Sequence, residues 1–288
     1  MDIKKIVEDV AVELLRKASI RLPPDVLAVL EQAYQDETSE IGRSQLGAIL
    51  ENIRLAEKMK RPICQDTGLI IFYVTLGNMF GDFAFIPEAL TEATKRATLD
   101  VPLRPNAVHP LTRHNLGNNT GVGVPIINYD AVAGDYVELT AFPKGAGAEN
   151  MSVLAMLTPS AGIKGIKKFV INTIIASGGM PCPPTVIGVG IGGTADLAMK
   201  LAKKALLRPL DKRHPEKEIA QLEEELLKMV NSTGVGPMGL GGKYTALGLN
   251  IEYAYCHTAA LPVGINVQCW ANRRATARIH KDSHIEYM

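Results

Sequence analysis

Three of the four cysteines lie in short loop-like segments rich in proline, glycine or polar residues. They are Cys64 in residues 62–68 (PICQDTG), Cys182 in residues 179–184 (GMPCPP) and Cys269 in residues 266–270 (NVQCW). Proline and glycine fix or permit the unusual backbone angles that present a thiolate to a metal. Three dispersed thiolates could hold a [4Fe-4S] cluster with one open iron, a Lewis acid for a substrate hydroxyl or carboxylate. The pattern predicts a cluster-dependent hydro-lyase, and the alternative for each cysteine is a buried thiol.

Two residues near these cysteines could move protons. Asp66 follows Cys64 and Gln65, and a neighbouring charge or desolvation can bring a carboxyl pKa towards neutrality. The alternative for Asp66 is an Asx-turn that caps the next residues. His257 precedes Cys269 by about a dozen residues and could reach the same pocket, although a single histidine is more often structural. Cys256 could be a fourth ligand or a buried thiol beside His257.

Several segments could bind an anion. Arg104 lies between prolines in a stiff segment and could hold a carboxylate through its planar guanidinium, or it could simply be exposed. Residues 115–125 (NLGNNTGVGVP) contain many side-chain amides, which could serve a site or only shape the loop. Residues 144–152 (KGAGAENMS) could offer backbone N–H groups to an anion or form an ordinary turn.

Two glycine-rich runs raise the question of nucleotide binding. Residues 188–193 (GVGIGG) satisfy the dinucleotide pattern, with Asp211 about twenty residues later. A proline and a charged run occupy the place where the next strand should carry the acidic residue, which counts against a nucleotide site. Residues 234–243 (GVGPMGLGGK) lack the spacing of a phosphate-binding loop.

Composition excludes some classes of function. The chain has 288 residues, with 31 basic and 30 acidic side chains, so its net charge of +1 gives no reason to expect nucleic acid or an anionic membrane as a partner. The N-terminus lacks the apolar region of a secretory signal, and no uncharged apolar run is long enough to span a membrane. Four dispersed cysteines fit a reducing compartment. We expect a cytoplasmic protein.

Hydrophobic spacing predicts a mixed α+β fold. Apolar residues recur at helical spacing through residues 1–61, and proline pairs or single prolines separate three helices there. Further helices are expected near 86–99, 162–177, 194–207 and 215–230. Strands are expected at 69–76, 122–128, 136–142, 185–189 and 249–255. We expect one domain over residues 1–288, with residues 1–61 as a helical N-terminal layer before a mixed sheet.

The motifs together resemble a known family. Residues 62–68, 104–108, 119–123 and 144–150, with the Cys182 and Cys269 loops, resemble the α subunit of two-subunit class I fumarate hydratases. The chain is also similar to the α subunit of L(+)-tartrate dehydratase. The resemblance covers nearly the whole chain with the motifs in the same order.

The resemblance implies specific roles. Cys64, Cys182 and Cys269 would hold the [4Fe-4S] cluster with one open iron, and Cys256 would lie outside the ligand set. The implied catalytic residues are Asp66 and His257, acting as a proton relay. The implied substrate-binding residues are Gln65, Asp66, Arg104, Gly147, Asn150 and Ser152. One departure is the sequence KGAG at 144–147, where single-chain relatives have three consecutive glycines.

The resemblance also implies a partner. Single-chain relatives carry a second, C-terminal domain that supplies further arginines, a lysine and a threonine, and this chain ends at Met288 without one. A fumarate hydratase β subunit is therefore expected, in an α2β2 assembly active only when both are present. The expected reaction is reversible hydration of fumarate, a small dicarboxylate, to (S)-malate in the tricarboxylic acid cycle. The alternatives are L(+)-tartrate dehydration and, in another class, a non-catalytic nucleotide- or iron-binding protein.

Overall fold

The computed structural model describes residues 2–288. The chain divides into two compact units, each assembled from separate segments. The first unit contains residues 2–23, Asn52–Ala146 and Arg273–Met288, and the second contains Pro24–Glu51 and Gly147–Asn272. The mixed α+β fold is confirmed, and the single domain over 1–288 stays a prediction.

The first unit contains two long helices and a five-stranded mixed sheet. Its elements are α1 (Ile3–Ile20), β1 (Ile71–Gly77), α4 (Ile86–Asp100), β2 (Ile126–Val132), β3 (Tyr136–Ala141), β8 (Ala275–His280) and β9 (Ile285–Tyr287). The strand order is β2-β1-β3-β8-β9, with β1 parallel to β2 and the other neighbours antiparallel.

Local sequence explains how this unit begins. The side chain of Asp2 accepts a hydrogen bond from the backbone N–H of Lys4, at 3.0 Å, and so caps the first turn of α1. The apolar face of α1, including Leu14 and Leu15, is fully buried and belongs to one core with α4 and the sheet. Burial of each such leucine contributes about 2 kcal/mol. This core supports the loops at the ends of the strands.

The second unit contains the remaining helices and a four-stranded mixed sheet. Its elements are α2 (Pro24–Asp36), most of α3 (Glu40–Met59), α5 (Ala146–Glu149, which begins at the last residue of the first unit), β4 (Val153–Leu157), α6 (Gly162–Ser177), β5 (Thr185–Gly192), α7 (Ala195–Ala205), α8 (Lys217–Asn231), β6 (Ala246–Ala254) and β7 (Leu261–Gln268). The strand order is β4-β7-β5-β6, with only β5 and β6 parallel.

The glycine run at 188–193 lies mainly inside β5 instead of in a loop before a helix. A Cβ on Gly188 would lie 2.0 Å from the carbonyl oxygen of Ala202, and one on Gly190 would lie 2.0 Å from that of Ala198. Both carbonyls belong to α7. These two glycines therefore allow a helix to pack directly on the strand, which explains the run without a nucleotide.

Most expected elements occur close to their predicted bounds. Helix α6 spans Gly162–Ser177, as predicted, and Pro24 begins α2. The strand expected at 122–128 begins four residues later, because Gly121 and Val124 exchange two backbone hydrogen bonds in a tight turn. Strands β4, β8 and β9 were not predicted, and β7 lies between Cys256 and Cys269, where the sequence is compatible with two antiparallel strands or a broad loop. Among the helices of residues 2–288, none combines the length and apolar composition that a membrane crossing requires.

Candidate functional site

The candidate residues of the first unit gather at one end of its sheet. Strands β1 and β2 are parallel and β3 is antiparallel to β1, so the starts of β1 and β2 adjoin the end of β3. Strand β8 also begins there, because Ala275 pairs with Ala141. We call this the Asp66 end. It receives the loops that carry Cys64, Asp66 and Arg104.

Asp66 is the most highly connected of the predicted residues at the Asp66 end. Its Oδ1 accepts the backbone N–H of Gly68 at 2.9 Å and the side-chain amide of Asn106 at 3.2 Å. Its Oδ2 accepts the backbone N–H of Ala146 at 2.8 Å. The bond to Gly68 is the Asx-turn that the sequence allowed, and the other two bonds come from distant segments. Because the residue stays partly exposed, an oriented carboxylate faces accessible space.

The neighbouring residues differ in how firmly they are held. The Cys64 thiol donates to Oε1 of Gln65, at 3.4 Å, and Cys64 is partly buried while Gln65 is exposed. The Arg104 side chain is exposed, but its carbonyl oxygen accepts from Thr67 and Asn119, at 3.2 and 3.1 Å. The backbone at Arg104 is therefore fixed while the guanidinium is available.

The amide-rich loop shapes itself and supports Asp66. Asn119, at a positive φ of 58°, is buried, and its Oδ1 accepts the backbone N–H of Asn106 at 2.7 Å. Asn115 donates to the carbonyl of Pro105 at 2.8 Å. The same loop, together with Leu69, His114 and residues 106–110, lines a mainly apolar cavity of about 400 Å³. Its amides thus hold Asn106 in place to bond Asp66.

The anion that the backbone of residues 144–147 binds is a side chain of the same protein, the carboxylate of Asp66. Lys144 and Leu69 form two backbone hydrogen bonds, both at 2.9 Å, and the backbone N–H of Ala146 donates to Asp66. The predicted anion-binding property therefore serves the Asp66 carboxylate. The departure from three consecutive glycines within residues 144–147 leaves that bond intact, because Ala146 keeps its backbone N–H.

The candidate residues of the second unit also gather at one end of a sheet. Strands β5 and β6 are parallel, β7 is antiparallel to β5, and β4 is antiparallel to β7. The starts of β4, β5 and β6 therefore adjoin the end of β7. We call this the Cys182 end. Cys182 lies just before β5, and Cys269 directly follows β7.

Backbone bonds join the two cysteine loops. The N–H of Trp270 donates to the carbonyl of Cys182 at 3.2 Å, and the N–H of Cys182 donates to the carbonyl of Gly179 at 3.1 Å. Cys182 has a φ of 54°, a conformation uncommon for a residue with a side chain. Both cysteines are partly buried. Two thiols are thus presented from adjacent turns at one end of one sheet.

The predicted substrate-binding residues of the second unit have distinct surroundings. A Cβ on Gly147 would lie 3.3 Å from the carbonyl oxygen of Met180, so Gly147 lies against the Cys182 turn. Asn150 is exposed and lines a cavity of about 360 Å³ beside α6. Ser152 is engaged elsewhere, because its Oγ donates to the carbonyl of Glu149 and accepts from Asn266, at 2.7 and 2.6 Å.

His257 and Cys256 lie at the opposite end of the second sheet. They follow β6, whose last residue pairs with the last residue of β5. The length of β5, roughly 25 Å at the usual rise per residue, separates them from the Cys182 end. His257 is exposed, and its Nδ1 accepts the N–H of Ala259 at 3.1 Å. The structure does not bring His257 together with Cys182 and Cys269, and its catalytic role stays a prediction.

The cysteines are chemically suited to a cluster. None of the four forms a disulfide, and thiolates are the ligands that iron–sulfur clusters prefer. Within residues 2–288, no three side chains of His, Cys, Asp or Glu converge as ligands of a single metal ion. Cys182 and Cys269 belong to one unit and Cys64 to the other. The donor type therefore fits a cluster, and the full ligand set stays a prediction.

Arg273 is a notable residue at the Asp66 end that the sequence patterns did not indicate. It is 1% exposed, and its Nε and Nη1 have no hydrogen-bond partner among the described residues. Its Nη2 and the Oδ2 of Asp66 both lie within 4 Å of the position that a Cβ on Gly145 would take. A buried guanidinium near a carboxylate raises the local positive potential. Only its place four residues after Cys269 could have drawn attention to it.

Comparison with known proteins gives a consistent result. Residues 8–278 match the family model described as fumarate hydratase (Fumerase). A protein from Methanocaldococcus jannaschii, provisionally named L(+)-tartrate dehydratase subunit alpha, is 55% identical over 283 residues, which cover 97% of this chain and 99% of the relative. The L(+)-tartrate dehydratase subunit alpha of Escherichia coli strain UTI89 is 38% identical over 285 residues, covering 99% and 94%. The names describe enzymes that add water to a substrate or remove it.

Proposed function

This chain belongs to the fumarate hydratase family, and we propose that it is the α subunit of a [4Fe-4S]-dependent hydro-lyase that reversibly hydrates fumarate to (S)-malate. The observation that carries the proposal is the family match over residues 8–278, which includes every candidate residue at the Asp66 and Cys182 ends. The reaction adds the elements of water across one carbon–carbon double bond, and it would serve the tricarboxylic acid cycle.

Cys64, Cys182 and Cys269 would hold the cluster. When bound, its open iron would supply Lewis acidity towards the substrate hydroxyl. The fixed turns at Cys182 and Cys269 support this assignment, since a cluster needs thiolates presented from rigid backbone. Cys256, in an exposed loop at the other end of the second sheet, would remain outside the ligand set.

The proposed roles of the other residues follow from what holds them. Asp66 would transfer a proton, because its carboxylate is oriented by three N–H donors and stays partly exposed. Arg104, with a fixed backbone and an exposed guanidinium, would bind one substrate carboxylate. Gln65, Gly147 and Asn150 would contact substrate. Ser152 is the weakest assignment of this group, because Glu149 and Asn266 already occupy its hydroxyl.

His257 would take part in proton transfer only under a further condition. The Cys182 end and the His257 loop lie at opposite ends of one sheet. We therefore propose that any His257 acting beside the cluster comes from a second α subunit of an α2β2 assembly. The β subunit would supply the remaining catalytic groups. The cytoplasmic location is proposed from the dispersed cysteines alone.

L(+)-tartrate dehydration is the second candidate. The observation in its favour is that the relatives at 55% and 38% identity carry that name. Tartrate differs from malate by one hydroxyl, so the same groups could remove water from either. A side chain that hydrogen-bonds the additional hydroxyl would decide between them.

The test is an activity measurement under anaerobic conditions. The chain is reconstituted with iron and sulfide, alone and with a β-type subunit from the same organism, and supplied with fumarate, malate or L(+)-tartrate. We expect fumarate hydration only with both subunits. An iron-loaded pair that dehydrates tartrate and leaves fumarate unchanged would establish the second candidate, and full activity of the chain alone would overturn the two-subunit proposal.

A further inference from the structure

Glu37, which directly follows α2, is a buried carboxylate with an unusual set of partners. It is 1% exposed and forms no ion pair of 4 Å or less among the described residues. Its Oε1 accepts the backbone N–H groups of Thr38 and Ser39, both at 2.9 Å. Its Oε2 accepts the backbone N–H of Lys243 at 2.8 Å and that of Tyr244 at 3.3 Å. A buried charge needs such donors, because an isolated one is very costly.

The bonds to Lys243 and Tyr244 anchor the second glycine-rich run. Residues 234–243 have the composition of an anion-binding loop, and the anion that they bind is the Glu37 carboxylate. A Cβ on Gly242 would lie 2.8 Å from Oε2 of Glu37, so the carboxylate lies directly against the loop. The run therefore requires no external phosphate to explain it.

The same loop packs on the Cys182 turn. The N–H of Met238 donates to the carbonyl of Pro183 at 2.7 Å. A Cβ on Gly239 would lie 2.5 Å from Cα of Gly179, which leaves room for no side chain between the two turns. Pro183 follows Cys182 directly, and Gly179 accepts the N–H of Cys182. Every link from Glu37 to Cys182 lies within the second unit.

We propose that Glu37 is a positioning residue whose carboxylate holds residues 236–244 against the Cys182 turn and thereby fixes the direction of the Cys182 thiol. The proposal rests on the proposed function only for what the thiol binds. Cys182 needs this support because its positive φ is an uncommon conformation for a residue with a side chain. Loss of the carboxylate would leave backbone N–H groups unpaired, the loop would loosen, and the Cys182 turn would relax.

The test measures thiol reactivity in the full chain, free of metal and without substrate. Each protein is exposed to short pulses of iodoacetamide, and alkylation at each cysteine is followed by peptide mass spectrometry. We expect Glu37→Ala to raise the alkylation rate of Cys182 about tenfold, the factor given by loss of roughly one charged hydrogen bond. Glu37→Gln, which keeps one carbonyl acceptor, should have a smaller effect. The rate at Cys256, at the other end of the sheet, should not change.

The matched control is Asp36→Asn. Asp36 precedes Glu37. Within residues 2–288, its carboxylate accepts hydrogen bonds only from the side chains of Gln32 and Tyr244, at 2.8 and 3.1 Å. It should leave the Cys182 rate unchanged. A second readout is the fluorescence emission of Trp270, the one tryptophan in the sequence. Its backbone N–H donates to the carbonyl of Cys182. Its spectrum should shift in Glu37→Ala and not in the control.

Gly239→Ala tests the same contact without touching the carboxylate, in case Glu37→Ala does not fold. We expect selective reactivity of Cys182 in this variant as well. Equal increases at Cys182 and Cys256 would mean general loosening and would overturn the proposal, as would an unchanged Cys182 rate in both variants. Because neither readout involves cluster or substrate, failure here is distinguishable from failure of the hydro-lyase proposal.

Discussion

Each of the two units contains a carboxylate that accepts hydrogen bonds from backbone N–H groups of separate chain segments. At the Asp66 end, Asp66 accepts from Gly68 and Ala146 and stays partly exposed. In the second unit, Glu37 accepts from four backbone groups and is 1% exposed. The bonding is similar, and the exposure differs. A substrate could meet Asp66, whereas Glu37 can act only through the loops that it holds.

This difference shows how to separate a carboxylate that does chemistry from one that builds a site. Hydrogen bonds alone do not distinguish them, because both need donors to be held in place. Accessibility does, since a reacting group must touch the substrate. At the Cys182 end the groups offered to a ligand are thiols, and the carboxylate is withdrawn into the core. Substitutions at the two carboxylates should therefore fail in different assays.

The largest effect is expected at Asp66. Asp66→Asn keeps the size of the side chain and removes its ability to carry a proton, so kcat in the two-subunit assay should fall about 10²–10⁴-fold. Iron content should remain near that of the parent protein, because Asp66 is not among the proposed ligands. The measurement is a steady-state hydration assay combined with iron analysis.

Cysteine variants are the controls for Asp66→Asn. Cys182→Ser should lose both iron and activity, and Cys256→Ser should lose neither. If Asp66→Asn lost its iron along with its activity, Asp66 would belong with Glu37 as a residue that builds the site. Full activity in Cys182→Ser would remove Cys182 from the ligand set.

The sequence predicted the side chains of the candidate site better than the groups that support them. Cysteines, an aspartate and an arginine in loops can be recognised locally, because proline and glycine neighbours mark the loops. The support from Glu37 could not be seen, since it follows a helix like any solvated acid and its partner Lys243 lies 206 residues away. Arg273 was missed for the same reason. Burial of a charged residue is set by tertiary contacts.

The fold was also predicted well where the sequence signal is local and poorly where tertiary contacts decide. Helix α6 has a clear apolar period and was predicted over residues 162–177, as found. Strand β7 contains Pro262 and Gly264, which weaken any local signal for a strand, and pairing with β4 on one side and β5 on the other stabilises it. The glycines of β5 match the sequence pattern of a nucleotide-binding loop, because close helix packing and phosphate binding both need residues without a side chain.

A smaller effect is expected inside the second sheet, away from the Cys182 end. Gly190→Ala would place a methyl group 2.0 Å from a carbonyl oxygen of α7, and such overpacking should lower the free energy of unfolding by about 3 kcal/mol. Gly121→Ala, where nothing lies within 4 Å of the added Cβ, should change it by less than about 0.5 kcal/mol. Urea unfolding measures both.

Gly190→Ala also tests which contacts support the Cys182 turn. If support for the Cys182 turn comes from Glu37, a defect in the middle of the sheet should leave the ratio of Cys182 to Cys256 alkylation unchanged under native conditions. A selective rise at Cys182 in Gly190→Ala would show that the whole sheet, not the Glu37 loop, sets that turn.

The smallest effect is expected from carboxylates whose main hydrogen-bond partners are side chains. Glu8 and Asp9 on α1 face Arg96 on α4. Burial raises the pKa of each carboxyl, but hydrogen bonds from Arg96 and Lys5 outweigh it and hold both pKa values below their ordinary range. Groups with a lowered folded pKa add stability above the unfolded pKa, near 4, and lose it as the pH falls through the folded value.

Arg96→Met should therefore lower the free energy of unfolding at pH 7 by only about 0.5–1 kcal/mol, because solvent screens this partly exposed cluster. The difference from the parent protein should shrink towards zero as the pH falls below about 3. Urea unfolding at both pH values checks this, with the exposed Arg61→Met as control. A difference that persisted unchanged at low pH would mean that Arg96 contributes through packing of its stem. In that case the larger effect expected at Glu37 than at Glu8 and Asp9 would come from burial of the whole Glu37 side chain more than from the hydrogen-bond partners of its carboxylate.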